Sequence, residues 1–264
     1  MMSKINMTIK NFLLLFFVLS NTTTSSSPAL FEIEYPAAAD HANAPLHAAA
    51  IAGDTDTLKQ LLEHGENPNR QDRYGLPPLF YAFFMTHSNE TTKKQLLNAP
   101  IDLKSRDSHG RTALSYATAW GTEKDVALLL EKGANAASAD NYGTTPLHYA
   151  ICYNTPPDYA SYGKIGGNIG AIRNLLEHHA PIDACDTQGK TPLHHAAQLG
   201  QLHTVLFLLA NNAKPCTTDK QGRTARQTTR DLNGLENDNL TYYLDQIDSY
   251  LDKAEKAWFK KHAE

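Results

Sequence analysis

Twelve histidines and three cysteines are the side chains of this 264-residue chain best suited to chemistry. Their spacing argues against most of it. His178-His179 and His194-His195 invite a metal reading. A zinc site needs three or four convergent ligands, and neighbouring residues on a helix point about 100° apart. These histidines are therefore expected to be structural or solvated. Cys152, Cys185 and Cys216 lack the paired close spacing of a zinc site or redox dithiol, and an odd count argues against a disulfide-built scaffold. A Cys185–Cys216 bridge is conceivable, but disulfide geometry is demanding and free thiols are the expectation. Gly166-Gly167 lacks the Lys-Ser/Thr that a phosphate loop needs, and there is no nucleophile elbow. The chain reads as a non-enzyme without cofactor or metal.

Bulk composition agrees with a folded binding protein. Hydrophobic residues make up 41% and charged residues 20%, which is too apolar for a disordered chain. The formal charge is -4, with no strong basic field, so nucleic acid is not an expected partner. The first twenty residues have the order of an export signal. Lys4 and Lys10 precede an uncharged apolar run at 12–19, and Val18 and Ser20 mark a small-residue cleavage site. A polar Asn/Thr/Ser segment follows at 21–28. The apolar run is too short to span a bilayer comfortably, which favours cleavage over anchoring. Removing residues 1–20, which hold two lysines and no acids, takes the charge to -6. The expectation is a secreted or periplasmic protein, monomeric, without stable membrane insertion after cleavage.

What would position any functional side chain is an internal repeat. Asp-x-x-Gly tetrads stand at Asp72/Gly75, Asp107/Gly110, Asp140/Gly143, Asp186/Gly189 and Asp219/Gly222, separated by 35, 33, 46 and 33 residues. After each Gly comes a version of Thr-Pro-Leu-His, complete at Thr145-Pro146-Leu147-His148 and Thr191-Pro192-Leu193-His194. A leucine pair ends ten residues before each tetrad, from Leu61-Leu62 to Leu208-Leu209. Asp and Gly suit a tight turn. Thr caps a helix and Pro fits its first turn. Small residues such as Ala49, Ala117, Ala150 and Ala196 allow close stacking of the first helix, and the leucine pair carries the second helix into the core. Gly65 and Gly133 stand where a left-handed C-cap is wanted. His179 and Asn212 take that place in two units. Pro100 takes it in another and cannot adopt positive φ, so that unit must end its second helix differently.

This pattern resembles the ankyrin-repeat family over roughly residues 44–222, as five units plus a degenerate sixth beginning Arg223-Thr224-Ala225. The resemblance implies an all-α ankyrin-repeat solenoid, with helix-turn-helix units joined by β-turn fingers. It also implies that His148 and His194 hydrogen-bond the neighbouring turn, and that Tyr81, Tyr116 and Tyr149 are core. The expected organisation is a signal peptide at 1–20, a polar linker with a candidate N-terminal cap at 21–43, repeats at 44–234, and a C-terminal amphipathic helix at 235–264. Two units depart from the pattern. One has two extra residues near His87-Ser88-Asn89, and the other has thirteen around 154–168. Beyond Gly234, the residues Leu240, Leu244, Ile247, Leu251, Ala254 and Trp258 form one helical stripe, read as a cap on the last repeat rather than a heptad seam.

Ankyrin-family proteins usually bind through the concave face formed by turn tips and the exposed side of each first helix. By register the tips are Tyr74, His109, Tyr142, Gln188 and Gln221. The first-helix positions are Ile51-Ala52, Phe84-Met85, Ala119-Trp120, Cys152-Tyr153 and Gln198-Leu199. Of these ten helix positions only Gln198 is polar, which points to an interaction surface. The expected contact residues for a protein or peptide partner are Tyr74, Phe84, Met85, His109, Trp120, Tyr142, Tyr153 and Leu199. The alternative is a small-molecule or metal binder that uses the Tyr/Gly-rich insertion at 154–168 and the histidines.

Overall fold

The computed structural model describes residues 44–84, 90–152, 168–230 and 238–262. The expected leader, linker and N-terminal cap lie outside them, as do Met85, residues 87–89, Tyr153, the insertion up to residue 167, and Gly234. Twelve helices are present among the described residues. They are α1 (Pro45–Ala52), α2 (Thr55–Glu63), α3 (Pro78–Phe84), α4 (Glu90–Asn98), α5 (Ala113–Trp120), α6 (Glu123–Glu131), α7 (Pro146–Cys152), α8 (Ile169–Glu177), α9 (Pro192–Gln198), α10 (Leu202–Ala210), α11 (Ala225–Arg230) and α12 (Asp238–Lys261). Beyond one antiparallel bridge, Thr218 with Thr224, the described residues hold no β-structure. The all-α expectation is met.

The helices from α1 to α10 form five pairs, and α11 opens a sixth unit. First helices pack in a row, α1 on α3, then α5, α7, α9 and α11. Their small residues allow this approach: Ala117, Ala150 and Ala196 are completely buried. In the second helices, Leu96, Leu129, Leu175 and Leu208 have no exposed surface. The first unit differs, because Leu61 and Leu62 are only half-buried and Leu58 fills the core instead.

The expected caps are met position by position. Gly65 and Gly133 have φ of 86° and 90°, while His179 and Asn212 adopt 63° and 67°. In each case two N–H groups return to the helix, as in Gly133 to the Leu130 carbonyl and Ala134 to the Leu129 carbonyl. The unit containing Pro100 departs as its proline requires. Ala99 donates to the Gln95 and Leu96 carbonyls, and Ile101 donates back to the Ala99 carbonyl.

A buried ion pair ties α4 to α6. Lys93 Nζ lies 2.7 Å from Asp125 Oδ2, with side chains 11% and 3% exposed. The same carboxylate accepts from Thr122 N–H at 2.8 Å, closing the capping box of α6. C-terminally, α12 packs on α10 and α11 as a cap, burying Leu244, Ile247 and Leu251. Arg226 of α11 binds Asp248, Asp252 and Glu255 along it.

Candidate interaction face

Each finger is organised by its aspartate. Asp72, Asp107, Asp140, Asp186 and Asp219 all accept, through Oδ1, the backbone N–H groups two and four residues on, at 2.8–2.9 Å. The glycine that follows must turn left-handed, with φ of 75° at Gly143 and 78° at Gly189. It must also lie close to the next finger. A Cβ at Gly189 would stand 2.8 Å from the Lys220 nitrogen, and one at Gly143 would stand 3.0 Å from the Asp186 Cα. The fingers are joined directly, because Asn141, Thr187 and Lys220 N–H groups donate to the His109, Tyr142 and Gln188 carbonyls at 2.8–2.9 Å. The tip residues thus have their backbones fixed, while the Tyr74 hydroxyl accepts from Arg73 Nη2 at 2.5 Å and His109 Nδ1 lies 3.3 Å from Arg111 Nη2.

The second carboxylate oxygen reaches into the first helix. Tyr81, Tyr116 and Tyr149, each nine residues after its aspartate, donate their hydroxyls to Asp72, Asp107 and Asp140 at 2.5–2.9 Å. All three are buried, as expected for core positions. Burial and the facing aspartates hold the Tyr81 and Tyr116 phenols well above their ordinary range. Asp107 also receives Arg111 Nε at 2.6 Å, in a pair with side chains 1% and 7% exposed.

The expected contact residues divide into three groups. Tyr74, His109 and Tyr142 sit at successive finger tips, half-buried, with the His109 and Tyr142 rings 6.5 Å apart and near-parallel. Trp120 and Leu199 are half-buried at the ends of the first helices. Trp120 packs on Tyr116 at 5.4 Å, and Tyr116 packs on Phe80 at 4.9 Å, so one aromatic chain runs from the core to this face. Met85, Tyr153 and the side chain of Phe84 are outside the described residues. Two further expectations are corrected. Ala119 and Cys152, read as groove-lining, are buried, because the row of first helices closes over them, whereas Ile51 and Gln198 at the same position stay half-buried.

The motif histidines behave as the repeat demands. His148 Nε2 lies 3.2 Å from the Lys190 carbonyl, and His194 Nε2 lies 3.0 Å from the Arg223 carbonyl. Facing a carbonyl, Nε2 must donate, so Nδ1 accepts from Thr145 or Thr191. Both imidazoles are therefore neutral. Burial, followed by the charge of His195, pushes His148 down to about 3, and burial lowers His194.

His195 differs from the motif histidines. It stands nine residues after Asp186, where the preceding fingers have tyrosine, and its Nε2 lies 2.9 Å from Asp186 Oδ2. Burial opposes its charge, but Cys152 and Asp186 overcome that and push it up to about 9. Sequence reasoning missed this pair, weighing His195 only as a partner of His194. The register was the available signal. Among the described residues, no group of three or more His, Cys, Asp or Glu is placed to hold a metal ion. No helix among them is long and apolar enough to cross a membrane.

Comparison with known proteins agrees with this geometry. Family models described as "Ankyrin repeats (many copies)" and "Ankyrin repeats (3 copies)" match residues 46–89, and residues 86–162 and 159–219. The chain is similar to Transient receptor potential cation channel subfamily A member 1 of Homo sapiens, 29% identical over 73% of this chain and 16% of that protein. It is 31% identical to Rabankyrin-5 of Homo sapiens over 69% of this chain and 14% of the relative. It is 30% identical to B-cell lymphoma 3 protein homolog of Mus musculus over 69% of this chain and 39% of the relative. The chain thus spans well under half the length of each of these relatives. Repeats of this kind generally mediate protein–protein interaction and are typically non-catalytic. Five aspartate fingers, their left-handed glycines and the paired helices between them make this chain a member of the ankyrin-repeat family.

Proposed function

We propose that this chain is an exported interaction module that holds a protein or extended peptide against the face bearing the finger tips and first-helix ends. The observation that carries this reading is the aromatic chain from Phe80 through Tyr116 to Trp120. It leaves a large amphipathic side chain half-exposed at the surface of a repeat whose backbone is already fixed. Aromatic anchors on rigid supports bind at low entropic cost. Tyr74, His109 and Tyr142 extend the surface along the tips, and Leu199 adds an apolar position in the fifth unit.

The binding face is tested with a photo-crosslinking phenylalanine analogue placed at Tyr142 or at the exposed Lys132, and irradiated in the native compartment. A discrete adduct from position 142 and none from 132 is the expected result. Equal labelling from both positions, or none from 142, contradicts this choice of face. Export rests on Lys4, Lys10 and the apolar run at 12–19. N-terminal sequencing of native protein should begin after the Ser20 region, and an intact Met1 would refute it.

A further inference from the structure

The two halves of α12 carry opposite charge. Asp238, Asp245 and Asp248 stand in its first half, with no basic residue among them. Lys253, Lys256, Lys260 and Lys261 stand in its second half, all exposed. The acids that share those later turns are directed at α11. Asp252 and Glu255 bind Arg226, and Glu255 also accepts from the Thr224 hydroxyl at 2.8 Å. Of the lysines, Lys256 meets Asp252 at 2.7 Å, and Lys253 lies over the Tyr250 ring at 5.5 Å. Lys253, Lys260 and Lys261 form no ion pair among the described residues. The helix dipole favours cations within the last turn. It accounts for Lys260 and Lys261 but not for Lys253 or Lys256.

Apolar rings stand among these lysines. Phe259 is 59% exposed. Trp258 continues the stripe of Leu244, Ile247 and Leu251, yet it is only half-buried where they are buried. The two rings meet edge to face at 5.6 Å, and His262 stacks on Trp258 at 4.2 Å. At about 100° per residue, Lys253, Lys256 and Lys260 lie on the side of the helix opposite Leu251, and Phe259 lies between that side and the core-facing stripe. The patch occupies about three turns of one helix. That is too small for the roughly 800 Å² per partner that a stable protein interface buries. A bilayer surface asks for less: an apolar ring or two set into the head-group layer, and cations over its phosphates.

We propose that the last turns of α12 dock the protein on the surface of an anionic phospholipid bilayer. Lys253, Lys256, Lys260 and Lys261 meet the lipid phosphates, and Phe259, with Trp258 beside it, enters the head-group layer. The same surface repels the acidic first half of the helix, so docking uses these turns and not the whole length of α12. The attachment is peripheral: it combines a little apolar burial with a basic patch and needs no spanning segment. It does not draw on the face that bears Trp120 and the finger tips.

The test uses the full chain and vesicles of equal parts phosphatidylglycerol and phosphatidylcholine at low salt. The chain should sediment with these vesicles, stay in solution with pure phosphatidylcholine, and be released by about 0.5 M NaCl. Reversing two charges, Lys260→Glu with Lys261→Glu, should weaken binding at least about tenfold, and Phe259→Ala about fivefold. Lys132→Glu and Tyr242→Ala serve as controls, one an exposed lysine on another helix end and the other an exposed ring in the acidic half of α12. Both should bind as the unaltered chain does. All of these side chains are exposed, so the variants should fold, which circular dichroism checks. The chain has two tryptophans, so in Trp120→Phe the emission reports Trp258 alone and should shift to the blue on docking. The proposal is overturned by equal binding to neutral and anionic vesicles, by full binding of the doubly reversed variant, by an equal loss in Tyr242→Ala, or by an unshifted Trp258. Capture by poly-glutamate without capture by vesicles would overturn it too, in favour of an acidic protein partner.

Discussion

The third and fifth units place the same aspartate at the same turn, and each closes it onto the first helix nine residues later. In the third unit, Asp107 holds two groups that stay put near neutral pH: the Tyr116 hydroxyl and the Arg111 guanidinium. In the fifth, Asp186 holds His195, which can gain or lose a proton. Tyrosine makes the finger a permanent clamp that stiffens the base of Trp120. Histidine makes it a charged clamp whose grip depends on pH and on the neighbouring thiol. One substitution in register changes the chemistry of a unit without changing its shape.

Removing the aspartates should give the largest difference between these units. Asp107→Ala strips two finger N–H groups of their acceptor and leaves Arg111 charged in a buried place, because arginine cannot shed its proton. A loss of about 3–5 kcal/mol is expected by urea unfolding. Asp186→Ala should cost less at pH 7, since His195 can deprotonate once its partner is gone. Equal losses at the two sites would break the comparison.

Acid and alkali should act on different groups. His148 and His194 are held below the ordinary histidine value, so the unfolded chain takes up protons before they do. Their contribution to stability is present above about 6.5 and is lost as pH falls below it. Asp186 and Asp219 are lowered as well, and they add to the loss below about pH 4. His195 is raised to about 9, so its contribution is present below its unfolded value and disappears as pH rises through about 9. Melting temperature should therefore fall on both sides of neutrality. His195→Tyr, which installs the third unit's arrangement, should remove the alkaline fall and spare the acid one.

A smaller effect concerns the helix ends. Gly133 closes the third unit's second helix and Asn212 closes the fifth's, both left-handed. Asn212→Gly should relieve a strained backbone and raise stability by about 0.5 kcal/mol. A loss on that substitution would show that the Asn212 side chain contributes more than its backbone strain costs.

Much of this was legible from residue spacing, because the repeat ties each position to a backbone requirement. Left-handed closure at His179 and Asn212 and the different ending at Pro100 follow from register and simple sterics, and the buried tyrosines follow from the family resemblance. Burial of Ala119 and Cys152 was not legible, since it depends on how closely adjacent first helices approach. Nor was the His195 pair, because it is made between a finger and the helix nine residues later rather than between neighbours in sequence.

The interaction reading depends most on the surroundings of Trp120. Packed on Tyr116 and half-exposed, it should contribute only part of a buried aromatic's stability. Thermal melting of Trp120→Ala, with Lys132→Ala as control, tests this directly. The account predicts a drop of roughly 2–6 °C, equivalent to about 1–2 kcal/mol, with no change in the control. A drop above about 10 °C, the range of a fully buried aromatic at about 3–5 kcal/mol, would mean that the chain itself covers this side chain and that the face is not open to a partner.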